Sequence, residues 1–575
     1  MKLTQKRYQA LAPFALAFTI LITFWSVRDF DFINFDDPEY VTENPFVTNG
    51  LTGSGLSWAF TNTLTGHWHP FTWVSHMTDC QLFGVNAGAH HVVNLAFHIA
   101  NALLLYFFLL KTTGLWGAAL VAALVFGVHP LRIESVVWIS ERKDVLSVFF
   151  GLIALNVYVA FSRTRSLGAY ALMCAMFIMS LLSKPTLVTL PALLLLIDIF
   201  PLKRYSRFTL STMWPLIREK VPLFLVSGVF CGIAVVGQFL GGGLQSSTAY
   251  PVGDRIGSAM VGYVTYLHKL FAPVGLGIFY PFQSYAIGTT LGASLFLVAL
   301  TILALSQLRT RPYISVGWAW FIVTLLPVAG FIQIGGQSVA DRWTYLPHIG
   351  LIIGIVWGLR ELLASSPRTQ RYLATACIVA LVAITESNLP HWRASIPLFL
   401  HTLEVSPNNF MAHTNLGDAY LKGGQKDEAV MHLEAAVRLA PTYPEALNNL
   451  GVLRAQTGEY AEAARLFSRA LAQRPSFTTA RYNLGLTQSH LGRNISALSE
   501  WVTVMRDHPA DNRARESAAS LQAFAADAPC ATILRTEGAY AKTAIERLVA
   551  ETSSWNPAPD DIPLQTALAT LSRCL

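Results

Sequence analysis

Eleven long apolar blocks, all between roughly residues 10 and 388, restrict what this chain can fold into more than any other feature. They fall at about 9–27, 89–110, 115–130, 145–161, 168–184, 186–201, 221–240, 291–308, 313–332, 346–364 and 372–389. A helix needs about 17–25 apolar residues to cross the hydrocarbon core, where every backbone N–H and C=O must be paired within the segment. With 53% apolar and 13% charged residues and a mean hydropathy of +0.43, the chain is too apolar for an ordinary soluble protein. Residues 1–390 are therefore expected to form an all-α, polytopic membrane domain with about eleven transmembrane helices.

Charge sets the orientation. Lys2, Lys6 and Arg7 precede the first block and place the N-terminus in the cytoplasm. Arg163 and Arg165, then Lys203, Arg204 and Arg207, then Arg309 and Arg311, then Arg360, Arg368 and Arg371 then fall in inside loops. The segment 28–88 becomes a large outer loop with one basic residue, Arg28, against seven acidic ones. Eleven crossings put the rest of the chain outside, in the periplasm of a bacterium, with an uncleaved first segment in the inner membrane. Residues 257–290 begin and end outside and read as a re-entrant or interfacial helix and loop. The net charge of +7 is spread over short turns, so no nucleic-acid partner is expected. The six cysteines include no CxxC pair; Cys530 and Cys574 share the exported tail and could form a disulfide.

From residue 391 the sequence becomes periodic. Pro407, Pro441, Pro475 and Pro509 recur every 34 residues, in phase with Asn415-Leu416-Gly417, Asn449-Leu450-Gly451 and Asn483-Leu484-Gly485. Ala429, Ala463 and Ala497 follow, then the bulky Leu433, Phe467 and Trp501. Small residues where two antiparallel helices touch, with a large one beneath, mark the tetratricopeptide repeat (TPR). Residues 391–510 are expected to form a TPR α-solenoid, and 511–575 a C-terminal helical cap. A protein or peptide is the natural partner of such a surface.

Ionisable residues at or near the bilayer are costly and are candidates for function. Three groups lie on the outer side. Asp36 and Asp37, directly after the first crossing, could act as a general base or a cation site, or be a solvated turn. Arg132, Arg142, Lys143, Lys184 and Arg342 defy the positive-inside pattern and suit an anionic phosphate, although Glu134, Glu141, Asp144 and Asp341 could simply pair with them. Six of the fifteen histidines lie between 67 and 98; His67 and His69 could share a metal, but substrate hydrogen bonding is the stronger reading and no metal is expected. No P-loop, dinucleotide fingerprint or hydrolase elbow is present, so a donor arriving through the lipid phase fits better than a soluble nucleotide.

An acidic pair after the first crossing, a long first outer loop and C-terminal repeats together resemble the transmembrane-and-TPR O-mannosyltransferases and their bacterial relatives, within the C-type glycosyltransferase (GT-C) fold. Further matching stretches are Gly88-Ala89-His90-His91-Val92-Val93-Asn94, "VFGVHPLRIESVVWISERKDVLSVFF" at 125–150, "SKPTLVTLP" at 183–191, "LFAPVGLGIFYPF" at 270–282 and "VADRWTYLPHIGL" at 339–351. The resemblance implies transfer of a sugar from a polyprenyl-phosphate donor to an acceptor hydroxyl, that of a protein Ser or Thr, outside the cytoplasm. It implies that Asp36, with Asp37 beside it, is the catalytic carboxylate, and that Arg142, Lys143, Lys184 and Arg342 bind the donor phosphate. His69, His129, Glu134 and Tyr345 would line the substrate. No cofactor is implied beyond the lipid-linked donor. The rival expectation is a non-catalytic, membrane-anchored TPR scaffold, for which Asp36 and Asp37 are dispensable.

Overall fold

The computed structural model describes residues 2–520, apart from 64–65, 205–208, 241–242, 245–248, 508–512 and 515. The C-terminal cap beyond residue 520 and the pairing of Cys530 with Cys574 lie outside the described residues. The described chain is helical except for one short antiparallel pairing, Tyr280–Pro281 with Gln337–Val339, and an isolated bridge between Leu244 and Ile334. It divides into two compact units, Met1–Pro407 and Asn408–Leu575. The division falls past residue 390 because the helix Ser395–Val405 is tied to the first unit. Asn34 N donates to Ser395 Oγ (2.9 Å) and Asp31 N to the Arg393 carbonyl (2.9 Å).

Every one of the eleven apolar blocks is helical. Among the described residues, six are long and apolar enough to cross a membrane alone: Tyr8–Asp29, Ala87–Thr113, Ile139–Thr164, Val221–Leu240, Ile287–Ser306 and Pro367–Trp392. A bent pair, Trp116–Val128 with Pro130–Val137, makes a seventh. Leu167–Ser183, Pro185–Ile199 and Pro312–Val328 are shorter, at or below the lower end of the spanning range. Helix length therefore supports six or seven independent crossings where block counting gives about eleven. Small residues bring two of the shorter helices, Pro312–Leu325 and Pro347–Leu362, close together. A Cβ on Gly317 would collide with the Gly350 carbonyl, and one on Gly350 would lie 2.6 Å from Trp320 Cβ.

The backbone is irregular over residues 129–141, where the chain bends by 59° and passes through short helical turns before entering Arg142–Thr164. Breaks of this kind strand carbonyls, which at membrane depth must find donors. Side chains supply them: Thr385 Oγ1 bonds the Val128 carbonyl (2.7 Å), His98 Nε2 the Gly127 carbonyl (2.8 Å) and Asn94 Nδ2 the Trp138 carbonyl (3.2 Å). The broken segment carries Glu134, Ser140 and Glu141, all buried.

The second unit consists of helix pairs: Phe410–Lys422 with Lys426–Leu439, Pro444–Gln456 with Tyr460–Gln473, and Thr478–His490 with Asn494–Asp507. The periodic glycines sit where the bulky residues of the partner helix pack. A Cβ on Gly417 would lie 2.6 Å from Leu433 Cγ and one on Gly451 2.7 Å from Phe467 Cε1; Gly485 meets the Trp501 indole in the same way. Gly451→Ala is expected to destabilise this unit by about 1–3 kcal/mol through overpacking, and Gly451→Ala with Phe467→Leu to recover part of it. Thermal unfolding of the two variants checks this, and equal midpoints for wild type and Gly451→Ala would rule out the close approach.

Candidate functional site

The loop after the first helix is fastened to the broken segment by Asp37. Its Oδ1 accepts from Ser140 N (3.0 Å) and Ser140 Oγ (2.5 Å), and its Oδ2 from Ile33 N (3.0 Å). Nearby, the Phe35 ring stacks on Trp138 at 5.2 Å. Asp37 is consequently 1% exposed, whereas the side chain of Asp36 is 34% exposed. Two adjacent carboxylates thus have different environments: one is an internal anchor, the other is open.

Behind Asp36 lies a group of buried charges centred on Glu141. Lys143 Nζ is 3.9 Å from Asp36 Oδ2 and 3.3 Å from Glu141 Oε1. Lys184 Nζ is 2.9 Å from Glu141 Oε2 and 2.7 Å from Asp144 Oδ1. Arg342 Nε reaches Glu141 Oε1 at 3.2 Å while its Nη1 pairs with Glu134, and Arg342 N donates to Glu134 Oε2 at 2.7 Å. One carboxylate therefore holds three cations, as burial demands of charges that cannot reach water. Tyr40 completes this wall: its hydroxyl accepts from Lys143 Nζ (3.2 Å), whose ammonium also stands 4.5 Å over the Tyr40 ring. Next to Arg342, Asp341 takes Lys269 Nζ (2.6 Å) and the Tyr280 hydroxyl (2.7 Å).

Electrostatics follow from the same packing. Burial raises the Asp36 carboxyl above its ordinary range, with Lys143 opposing and Glu141 adding to the rise. Burial likewise raises Asp37, to about 6, against the three hydrogen bonds it accepts. The His67 imidazole is pushed down to about 3 by burial and by Lys143 and Lys184, and His69 is lowered well below its ordinary value by burial and by His67. Both rings are therefore neutral near pH 7. His69 packs against both Tyr40 (5.5 Å) and Trp73 (4.9 Å), which also touch each other (4.7 Å), and its Nε2 is buried with no hydrogen-bond partner.

The Asp37 shift has a consequence for stability. Between the unfolded value of 3.8 and the folded value of about 6 the folded state binds more protons than the unfolded state. Stability contributed by this group is thus present at low pH and declines as pH rises through that window. The wild-type minus Asp37→Asn difference in unfolding midpoint is expected to shrink from pH 4 to pH 6, and thermal scans across that range measure it.

The structure gathers Asp36, Lys143, Lys184, Arg342 and Glu134 in one place. It does not bring Arg142 there. One step along a helix turns a side chain by about 100°, so Arg142 points away from its neighbours. It is fully buried against Asp79 (2.6 Å), the His90 carbonyl (3.0 Å), Ser75 (2.7 Å) and Asn94. Tyr345 lies elsewhere among the helices, its hydroxyl 2.7 Å from His98 Nδ1 and 3.1 Å from Asn101. His129 bonds the Leu270 carbonyl (3.0 Å) and lines an apolar cavity of about 840 Å³, shared with Ile352, Leu381, Arg360 and Arg371. Sequence reasoning treated Glu141 and Asp144 only as pairing partners and missed Glu141 as the hub. Its signal was the spacing of Glu141 and Asp144 by three, which places both on one helix face toward Lys184.

These features define a multi-pass helical membrane protein with a buried ionic cluster beside one open carboxylate, ending in tetratricopeptide repeats. Family matches described as TPR repeat or tetratricopeptide repeat cover residues 398–431, 417–458 and 448–512. Along most of its length the chain is similar to proteins named protein O-mannosyl-transferase. It is 27% identical to human TMTC1 over 453 residues, 70% of this chain and 51% of that one. It is 27% identical to F38B6.6 of Caenorhabditis elegans, covering 74% and 62%, and 25% identical to human TMTC4, covering 72% and 64%. The chain thus spans between half and two thirds of the length of these relatives. Among solved structures, MamA matches 31% of this chain and 87% of its own at 23% identity and a TM-score of 0.22.

Proposed function

We propose that this protein is a membrane glycosyltransferase that moves a sugar from a polyprenyl-phosphate donor to a hydroxyl of a protein Ser or Thr. The observation that carries the reading is the position of Asp36: an open carboxylate 3.9 Å from Lys143, in front of buried cations, in the loop that follows the first apolar helix. Asp36 takes the proton of the acceptor hydroxyl as that oxygen attacks the anomeric carbon. The bond between that carbon and the phosphate oxygen breaks, its electron pair passes to the phosphate, and the anomeric centre inverts. Lys143, Lys184 and Arg342 stabilise the charge that grows on the leaving phosphate, and Glu141 fixes them in advance. His69, neutral, is suited to hydrogen-bond the sugar. The names of the relatives support the transferase class, with mannose as the first sugar to try. In this reading the chemistry faces the periplasm of a bacterial inner membrane, with the repeats on that side holding the acceptor; reporter fusions at residue 400 test the orientation.

One observation favours a second reading, a non-catalytic scaffold: each of the three cations already has a carboxylate partner. The deciding experiment supplies purified protein in nanodiscs with radiolabelled polyprenyl-phosphate sugars and periplasmic protein, and follows label into protein. Transfer supports the enzyme. No transfer from any donor, by folded protein that still captures partners through its repeats, supports the scaffold.

A further inference from the structure

A second polar cluster lies apart from Asp36, between the helices Pro70–Phe83 and Ala87–Thr113. His76 and Asp79, three residues apart, share a face of the first helix, and His90 comes from the first turn of the second. The Nδ1 atoms of His76 and His90 are 3.2 Å apart, and His90 Nδ1 is 3.1 Å from Asp79 Oδ2. The three atoms all lie within 4.8 Å of one another, His76 and His90 fully buried and Asp79 4% exposed.

Hydrogen bonding alone serves this arrangement poorly. A ring nitrogen has either one hydrogen or one lone pair, directed in the ring plane, so His90 Nδ1 cannot serve His76 and Asp79 fully at once. A shared cation serves all three atoms. Around a tetrahedral ion with metal–nitrogen distances near 2.0–2.1 Å, ligand atoms stand about 3.3 Å apart. The two separations that involve His90 come within roughly 0.2 Å of that value, and the wider one, between His76 and Asp79, stays under 4.8 Å. The surroundings are also those of a built site. Arg142 holds Asp79 Oδ2 from the other side at 2.6 Å and the His90 carbonyl at 3.0 Å, which orients the carboxylate and keeps it ionised.

We propose that His76, Asp79 and His90 bind a divalent transition-metal ion of the zinc class, which clips the first outer loop to the Ala87–Thr113 helix. Two imidazoles and one carboxylate are the donor set such an ion prefers, with water in the fourth position. The ion acts at a distance on the site described above, because Arg142 carries its constraint to the start of the helix that holds Glu141 and Lys143 in place.

The test uses the full chain, purified through a tag without histidine and without chelator. Elemental analysis is expected to find about one equivalent of zinc-class metal, and zinc to raise the unfolding midpoint over chelator-treated protein by several degrees. His76→Gln, which keeps a hydrogen-bonding side chain of similar reach, is expected to lose both effects. Adding Co2+ to stripped wild type is expected to give the visible absorption of a low-symmetry four-coordinate ion, a readout that stands even if the variant fails to fold. Wild type that binds no metal above background, melts identically in zinc and chelator and stays colourless with Co2+ overturns the proposal and leaves a hydrogen-bonded chain.

Discussion

Asp36→Asn should lower sugar transfer by about 10²–10⁴-fold while leaving the unfolding midpoint where it was. Asn preserves the shape of the side chain and removes the base. The structural loss is small because Asp36 is a third open and stands 3.9 Å from Lys143, a geometry worth about 0–1 kcal/mol. Asp37→Asn should behave in the opposite sense. An amide offers one acceptor oxygen where the carboxylate receives three donors, so a buried N–H of Ile33 or Ser140 loses its partner at about 1–3 kcal/mol. A lower midpoint for Asp37→Asn with an unchanged one for Asp36→Asn separates anchor from base. Because the Asp36 carboxyl is raised and must be ionised to accept a proton, the acid limb of the rate profile should lie above 3.8. Wild-type transfer rates in purified Asp36→Asn would remove the base from the mechanism.

Glu141→Gln should destabilise the first unit by about 3–5 kcal/mol. The substitution is nearly isosteric, yet it leaves Lys143 with Asp36 at 3.9 Å as its nearest carboxylate and weakens the hold on Lys184 and Arg342. The control is the exposed pair Arg311–Glu361, 2.8 Å apart with side chains 51% and 48% exposed, whose removal by Glu361→Gln should leave the unfolding midpoint nearly unchanged. Unfolding of the two variants in the same detergent gives the comparison. Equal midpoints would mean that the buried cluster is hydrated and that its charges are screened.

Much of the fold was legible because the bilayer and the repeat both impose a period. Apolar block length marked each of the six described helices long enough to span alone, and the 34-residue spacing located Gly417, Gly451 and Gly485 where helices touch. Whether a block crosses alone was not legible, since that depends on where Pro130, Pro185 and Pro312 cut the helices. At the site, the acidic pair and the misplaced cations stood out by violating the rules of their surroundings. What each of them does depends on direction, which a sequence does not carry at the resolution of one residue. Asp36 and Asp37 differ only in which way the loop turns them. Arg142 and Lys143 are neighbours, yet a turn of about 100° sends one to Asp79 and leaves the other beside Asp36.

The bond from Asp37 to Ser140 has a mechanical meaning. Asp36 and Lys143 come from segments a hundred residues apart, but each is joined through a few covalent bonds to one end of that link. Lateral pressure or a change in bilayer thickness that tilts the Arg142–Thr164 helix therefore carries carboxylate and ammonium along together. Their separation is insulated from the membrane's mechanics, and chemistry at Asp36 should be indifferent to lipid chain length over a range that visibly shifts the helices.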